Sequence, residues 1–155
     1  MKKIVSLVVL CLAALLAYGC KKLSQDEYQA FVMTTPDVGN LTFKRLSAQD
    51  VDGQYFLNAR TDVSGDVIDN TWVVMNLSFD KGTRIGKRIT LNSCTFGPYN
   101  TEDDYAKALS SGHIYLKNKT ETNITLRFKD VCFKMDWGEY RLNGDLTFGI
   151  ERYLY

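Results

Sequence analysis

The stretch that decides the fold is residues 140–150, YRLNGDLTFGI. Every even position from 140 to 150 carries an apolar residue or glycine, and the odd positions are mostly polar. A period of two is typical of a β-strand with one buried face and one polar face. The Asn143-Gly144 pair favours a two-residue hairpin, yet the alternation continues through it. We therefore predict one long strand, with a hairpin at Asn143-Gly144 as the alternative.

Other parts of the chain show the same alternation. It is clear over 72–79 and 124–129, and weaker strand patterns lie at 41–46, 54–60, 88–96 and 114–118. Turn-forming pairs such as Asp52-Gly53 separate these runs. We therefore predict an all-β fold, an antiparallel β-sandwich of seven to eight strands. A lipocalin-like β-barrel is the alternative, because the number and spacing of the strands suit both.

Two irregularities interrupt the strand patterns. The apolar positions change parity near Asn92-Ser93 and again near Lys129-Asp130. A single extra residue in a strand has this effect, so both places predict β-bulges.

One segment departs from strand character altogether. Thr101 can cap a helix, three acidic residues follow it at 102–104, and Gly112 suits the helix exit. This pattern predicts one short helical insertion between strands.

The N-terminus has the composition of a secretory signal. Met1-Lys2-Lys3 precedes an apolar run from Ile4 to Ala17, which at about 14 residues is shorter than a bilayer-spanning helix requires. The run ends in Leu16-Ala17-Tyr18-Gly19-Cys20, which resembles the lipobox of bacterial lipoproteins. The resemblance implies that Cys20 is acylated and becomes the first residue of the mature protein. Lys21 after the cysteine implies the outer membrane of a Gram-negative bacterium.

Three regions follow from these patterns. Residues 1–19 are expected to be a signal peptide, 20–39 a polar lipidated tether and 40–155 the β-sandwich domain. Residues 31–33 are apolar and could instead join the fold as an edge strand.

The charge balance bears on the partners. The chain has 19 Lys and Arg residues against 18 Asp and Glu residues. Nucleic-acid binding usually demands a basic surface, so nothing in the balance points to that partner. The expected partners are the membrane, through the N-terminal lipid, and an unknown envelope protein or glycan.

Two cysteines remain in the predicted domain, Cys94 and Cys132. Export would place them in a compartment where a disulfide can persist. Two separately buried thiols are the alternative.

Few residues point to catalysis or to a cofactor. His113 is the single histidine, and no recognised nucleophile motif or zinc-ligand spacing accompanies it. Asp50-Val51-Asp52-Gly53 and the group Asp62, Asp66 and Asp69 lack the full ligand set of a calcium loop. We therefore expect no metal and no cofactor.

The aromatic residues give the best candidate binding site. Trp137 falls in a predicted turn, and Tyr99 follows Gly97-Pro98. Exposed tryptophan and tyrosine provide large contact areas at interfaces, although aromatic residues are also favoured in strands for packing.

Three functions remain open from the sequence. A non-catalytic binding or interaction module is favoured. A carrier of an apolar small molecule would need an enclosed cavity lined by residues such as Met75, Phe128 and Phe148. An enzyme would need His113 beside an activated nucleophile or paired carboxylates.

Overall fold

The structure is a computed structural model, and it describes residues 28–36, 39–61, 73–98 and 109–151. Within these ranges the chain forms strands and no helix, which confirms the all-β class. The nine strands are β1 (Val32–Thr35), β2 (Gly39–Leu41), β3 (Arg45–Val51), β4 (Gln54–Arg60), β5 (Val73–Asp80), β6 (Leu91–Pro98), β7 (Ser111–Lys119), β8 (Asn123–Met135) and β9 (Gly138–Ile150). In these same ranges no helix has the length and apolar character to cross a membrane.

The predicted helical insertion is not seen in the described residues. Residues 101–108 lie outside them, and Ser111 and Gly112, where the helix was expected to end, belong to β7. Their pairing with β8 begins at Ser111, opposite Cys132.

All nine strands belong to one sheet. Its main path is β2-β1-β9-β3-β4-β5-β6, and β8 joins β9 to β7. The expectation of a purely antiparallel arrangement is wrong at one place, where β3 runs parallel to β9. Because β9 is 13 residues long, the edge that faces away from β8 has room for both β1 and β3.

The prediction of one continuous strand through Asn143-Gly144 is confirmed. β9 pairs with β8 from Gly138 to Gly149, on both sides of this pair. Gly144 has a φ of 102°, and a Cβ on this residue would overlap the carbonyl group of Ala30. Glycine is required because another segment passes close to the backbone, and not because the chain turns.

Both predicted bulges are present. Asn92 is the extra residue where Ser78 pairs with Ser93 and Phe79 pairs with Leu91. In β8 the register with β9 shifts between Phe128 and Val131, and Asp130 has a φ of 52° there. Each bulge restores the alternation, so that apolar residues on both sides of it face the core.

Hydrogen bonds also link the β6 end of the sheet path back to β7. The Gly86 N–H donates to the Leu116 carbonyl at 2.7 Å, and the Ile89 N–H donates to the Ile114 carbonyl at 2.8 Å. The Leu116 N–H donates to the Lys87 carbonyl at 3.0 Å. The segment that leads into β6 therefore contacts the free edge of β7.

The predicted apolar face of β9 is buried. Tyr140, Leu142, Leu146 and Phe148 are at most 7% exposed. Phe96 of β6 stacks on Phe133 of β8 with ring centroids 4.3 Å apart. Side chains of two strands that are not neighbours in the sheet therefore meet in the core.

The N-terminal part of the described chain also joins the sheet. Val32 and Met33, considered from the sequence as part of an edge strand, lie in β1, which is not at the edge. Met33 is fully buried between Leu41 of β2 and Leu142 of β9. The outermost strand on this side is β2, because β1 lies between β2 and β9.

Candidate functional site

Trp137 lies in the turn that joins β8 to β9, where the sequence predicted a turn. Its side chain is 42% exposed. The indole Nε1–H donates a hydrogen bond to the hydroxyl of Tyr140 at 3.3 Å. The buried Tyr140 ring meets the edge of Phe96 at 5.1 Å. The exposed indole is therefore connected directly to the core.

The backbone beside Trp137 is tightly packed. Gly138 has a φ of 146°, and a Cβ there would overlap the ring of Pro36, which follows β1. Only glycine allows this close approach. The turn therefore presents the indole from a supported backbone, as an interface anchor requires.

Tyr99, the other predicted binding residue, lies outside the described residues. A shared surface of Trp137 and Tyr99 stays a prediction.

A second candidate site is an open pocket of about 580 Å³ between β6 and β7. Its polar lining consists of Arg88, Thr90, Asn92, Ser93 and His113. This volume is within the range of small-molecule sites. Sequence reasoning did not predict it, because His113 and Ser93 are brought together by a pairing that the sequence does not reveal.

Cys94, the thiol that lines the pocket, is not activated. Burial, which outweighs a hydrogen bond from the backbone of Leu109, raises the pKa of Cys94 to about 11, so its thiol is protonated at neutral pH. The Ser93 hydroxyl lies 2.6 Å from the Ser78 hydroxyl. The His113 ring lies edge-on to the Tyr115 ring, with the ring centroids 6.3 Å apart. A nucleophile–base pair of the kind that catalysis needs is not among these contacts.

Cys94 and Cys132, the pair considered for a disulfide, are both free thiols. Cys94 pairs with the buried Leu77 and therefore lies on the inner face of the sheet. Cys132 pairs with Arg141, on the opposite face from the buried Phe133. This geometry favours the alternative of two separate thiols.

Among the described residues, Asp145 of β9 takes part in two ion pairs although its side chain is fully buried. Its Oδ1 accepts from Arg127 Nε at 2.8 Å, and its Oδ2 accepts from Arg127 Nη2 at 3.0 Å. Lys117 Nζ and the Gln29 backbone N–H donate to Oδ2 at 2.7 and 2.8 Å. Burial alone would raise the pKa of Asp145, but the hydrogen bonds from Arg127 and Lys117 outweigh it and hold the pKa at about 2.

The acidic residues considered for calcium have other roles where they are described. Asp50 forms an ion pair with Lys81, and Asp52 occupies the β3–β4 turn with a φ of 48°. Asp62, Asp66 and Asp69 lie outside the described ranges. The described ranges hold no group of three His, Cys, Asp or Glu residues that could bind a metal ion.

Comparison with known proteins gives no relative: no protein family, no curated protein and no solved structure matches this chain.

Proposed function

We propose that the protein is a lipid-anchored, non-catalytic envelope protein whose β-domain binds a protein or glycan through the Trp137 turn. The observation that carries this proposal is the half-exposed indole of Trp137, which is hydrogen-bonded to the Tyr140 hydroxyl. The next residue, Gly138, packs closely against Pro36 and so supports the backbone of the turn. A large aromatic side chain on a rigid turn combines contact area with a low entropy cost of binding.

The anchor is supported by the N-terminal sequence. The short apolar run ends at Cys20 in a lipobox-like pattern. Each buried CH₂ of an acyl chain contributes about 0.8 kcal/mol, so two or three long chains hold a protein at a membrane almost permanently. Lys21 favours the outer membrane of a Gram-negative bacterium as the location.

We infer that the sheet closes on itself as in a β-barrel, and that it does not form a β-sandwich. The path runs from β9 through β3, β4 and β5 to β6, and on its other side from β9 through β8 to β7. The hydrogen bonds of Gly86, Lys87 and Ile89 to β7 support the meeting of these two ends. The β6–β7 pocket then marks an incompletely paired seam.

The carrier hypothesis has less support. Met75, Phe128 and Phe148, which would have to line an enclosed cavity, are at most 1% exposed and belong to one core cluster. Burial in one cluster is typical of close-packed core residues and does not favour an open cavity lined by them.

Replacement of Trp137 tests the proposed binding surface. Trp137→Ala should weaken the capture of an envelope protein or glycan by the full-length protein about 30-fold or more, as removal of an aromatic hot spot does. Phe56→Ala is the matched control, because Phe56 is 44% exposed on β4. Quantitative capture from envelope extracts would measure both, and a thermal unfolding curve would verify that each variant is folded. Equal capture by wild type and Trp137→Ala would contradict the assignment of this surface.

A further inference from the structure

Cationic and aromatic side chains line up across the outer face of neighbouring chain segments. Arg88 pairs with Tyr115, Tyr115 pairs with Arg127, and Arg127 pairs with Asp145. Residues directly opposite one another share a face of the sheet. At the next position on this face His113 pairs with Lys129. We define the basic face as Arg88, His113, Tyr115, Lys117, Arg127 and Lys129.

The basic face carries more positive than negative charge. The buried Asp145 forms ion pairs with Lys117 and Arg127, and the exposed Asp130 follows Lys129 in the sequence. Arg88 and Lys129 are exposed, and neither forms an ion pair with another described residue. These two cations are therefore available to an external anion.

The chain reaches the fold at this same face. The Tyr28 ring centroid lies 5.8 Å from Lys117 Nζ, and Gln29 hydrogen-bonds to Asp145. Tyr28 is 65% exposed. It is eight residues after Cys20 in the sequence, and a fully extended chain of that length spans at most about 29 Å. An anchor on Cys20 would thus keep the basic face close to the bilayer.

We propose that the basic face docks on the anionic phosphate headgroups of the bilayer that holds Cys20, an inference that rests on the lipidation proposed above. Cations beside a membrane are attracted to anionic headgroups. The phenol groups of Tyr28 and Tyr115 suit the boundary between apolar and polar layers. The Trp137 turn remains away from this contact, because Met135 lies six residues beyond Lys129 in β8, about 20 Å along the strand.

Chemical labelling of lysines on vesicles tests the docking. The full lipidated protein, purified from its membrane, is added to preformed vesicles of phosphatidylcholine alone or with phosphatidylglycerol at about one lipid in three. A membrane-impermeant acetylating reagent is applied, and modification is measured by peptide mass spectrometry. Acetylation of Lys129 should slow about fivefold or more on the anionic vesicles, while Lys44, exposed beside β3, should react equally on both.

Two variants and a salt titration separate docking from other contacts. Arg88→Gln should reduce the protection of Lys129 about threefold or more, and about 0.5 M salt should do the same. Arg141→Gln is the matched control: Arg141 is an exposed cation of β9 whose partner is Glu139, and its removal should leave the protection unchanged. Protection that is equal on both vesicle types would indicate another occupant, such as a second copy of this chain, and would overturn the inference.

The mass of the purified protein distinguishes the two proposals. An acylated chain whose Lys129 is unprotected on anionic vesicles would overturn the docking alone. A chain without acyl groups would overturn the anchor, and the docking with it.

Discussion

At the scale of single residues, Asp145 is the side chain on which the outer face of the sheet most depends. It is a fully buried carboxylate that accepts hydrogen bonds from Arg127, Lys117 and the backbone N–H of Gln29. Removal of one partner of a buried ion pair leaves the other charges without compensation, and this costs far more than the net value of the pair. The sequence showed Asp145 only as a polar position of β9. Its partners depend on the register between β8 and β9, which no local pattern reveals.

Asp145→Asn should therefore destabilise the protein by about 3–5 kcal/mol. The physical reason is that Arg127 and Lys117 lose their buried anion while their positions stay partly shielded from water. Asp130→Asn is the control, because Asp130 is exposed in the bulge of β8 and asparagine tolerates its positive φ. Urea unfolding would measure both, and equal free energies of unfolding would contradict the assigned role.

The depressed pKa of Asp145 also predicts an acid-sensitive contribution to stability. A carboxyl group whose pKa is about 2 when folded and 3.8 when unfolded stabilises the fold above pH 4, and the effect is lost as the pH falls towards 2. The difference corresponds to about 2 kcal/mol. The free energy of unfolding of the wild type should fall by this amount more than that of Asp145→Asn between pH 5 and 2. Parallel pH profiles of the two proteins would refute the assignment.

The state of the cysteines is a further prediction at this scale. Protein purified without reductant and unfolded in denaturant should be alkylated at both Cys94 and Cys132, because both are free thiols. In the folded protein both should react slowly, since Cys132 is 1% exposed and burial raises the pKa of Cys94 to about 11. Peptide mapping after iodoacetamide treatment would show this. A Cys94–Cys132 disulfide peptide would instead support the alternative considered from the sequence.

At the scale of secondary-structure elements, β9 organises the fold. It pairs with β8 along one edge, and with β1 and then β3 along the other. The Asp145 backbone N–H also donates a hydrogen bond to the Gln29 carbonyl at 2.8 Å. Gly144 allows this arrangement, because a side chain there would collide with Ala30.

Gly144→Ala should destabilise the protein by about 2–4 kcal/mol, because it adds a backbone collision to an unfavourable positive φ. Gly149→Ala is the matched control in the same strand, since no atom lies within 4 Å of a Cβ at Gly149. It should change the stability by less than about 1 kcal/mol. Thermal unfolding of both variants would test this, and a Gly144→Ala variant as stable as Gly149→Ala would show that Ala30 does not pass there.

Local patterns predicted the strands better than their partners. The period of two in β9 and the parity changes at Asn92 and Asp130 are properties of a single strand, and the structure confirms them. The parallel pairing of β3 with β9 depends on segments about 100 residues apart in the sequence. The same limit concealed the β6–β7 pocket and the partners of Asp145, whereas the turn at Trp137 was predictable from Asp136-Trp137-Gly138 alone.

At the scale of the whole molecule, the proposed function assigns different surfaces to different tasks. The N-terminal chain reaches the fold at Tyr28, beside Lys117 and the basic face. The Trp137 turn follows the C-terminal end of β8. Gly138, which follows Trp137, packs against Pro36, and the Trp137 indole hydrogen-bonds to Tyr140. A lipid on Cys20 would place the first surface towards the bilayer and leave the second free for a partner.

Acylation of Cys20 is the central claim, and metabolic labelling with radioactive palmitate measures it most directly. The wild-type protein should incorporate label and fractionate with membranes, and Cys20→Ala should carry no label. An unlabelled wild-type protein, or one that still begins with Met1, would contradict the account.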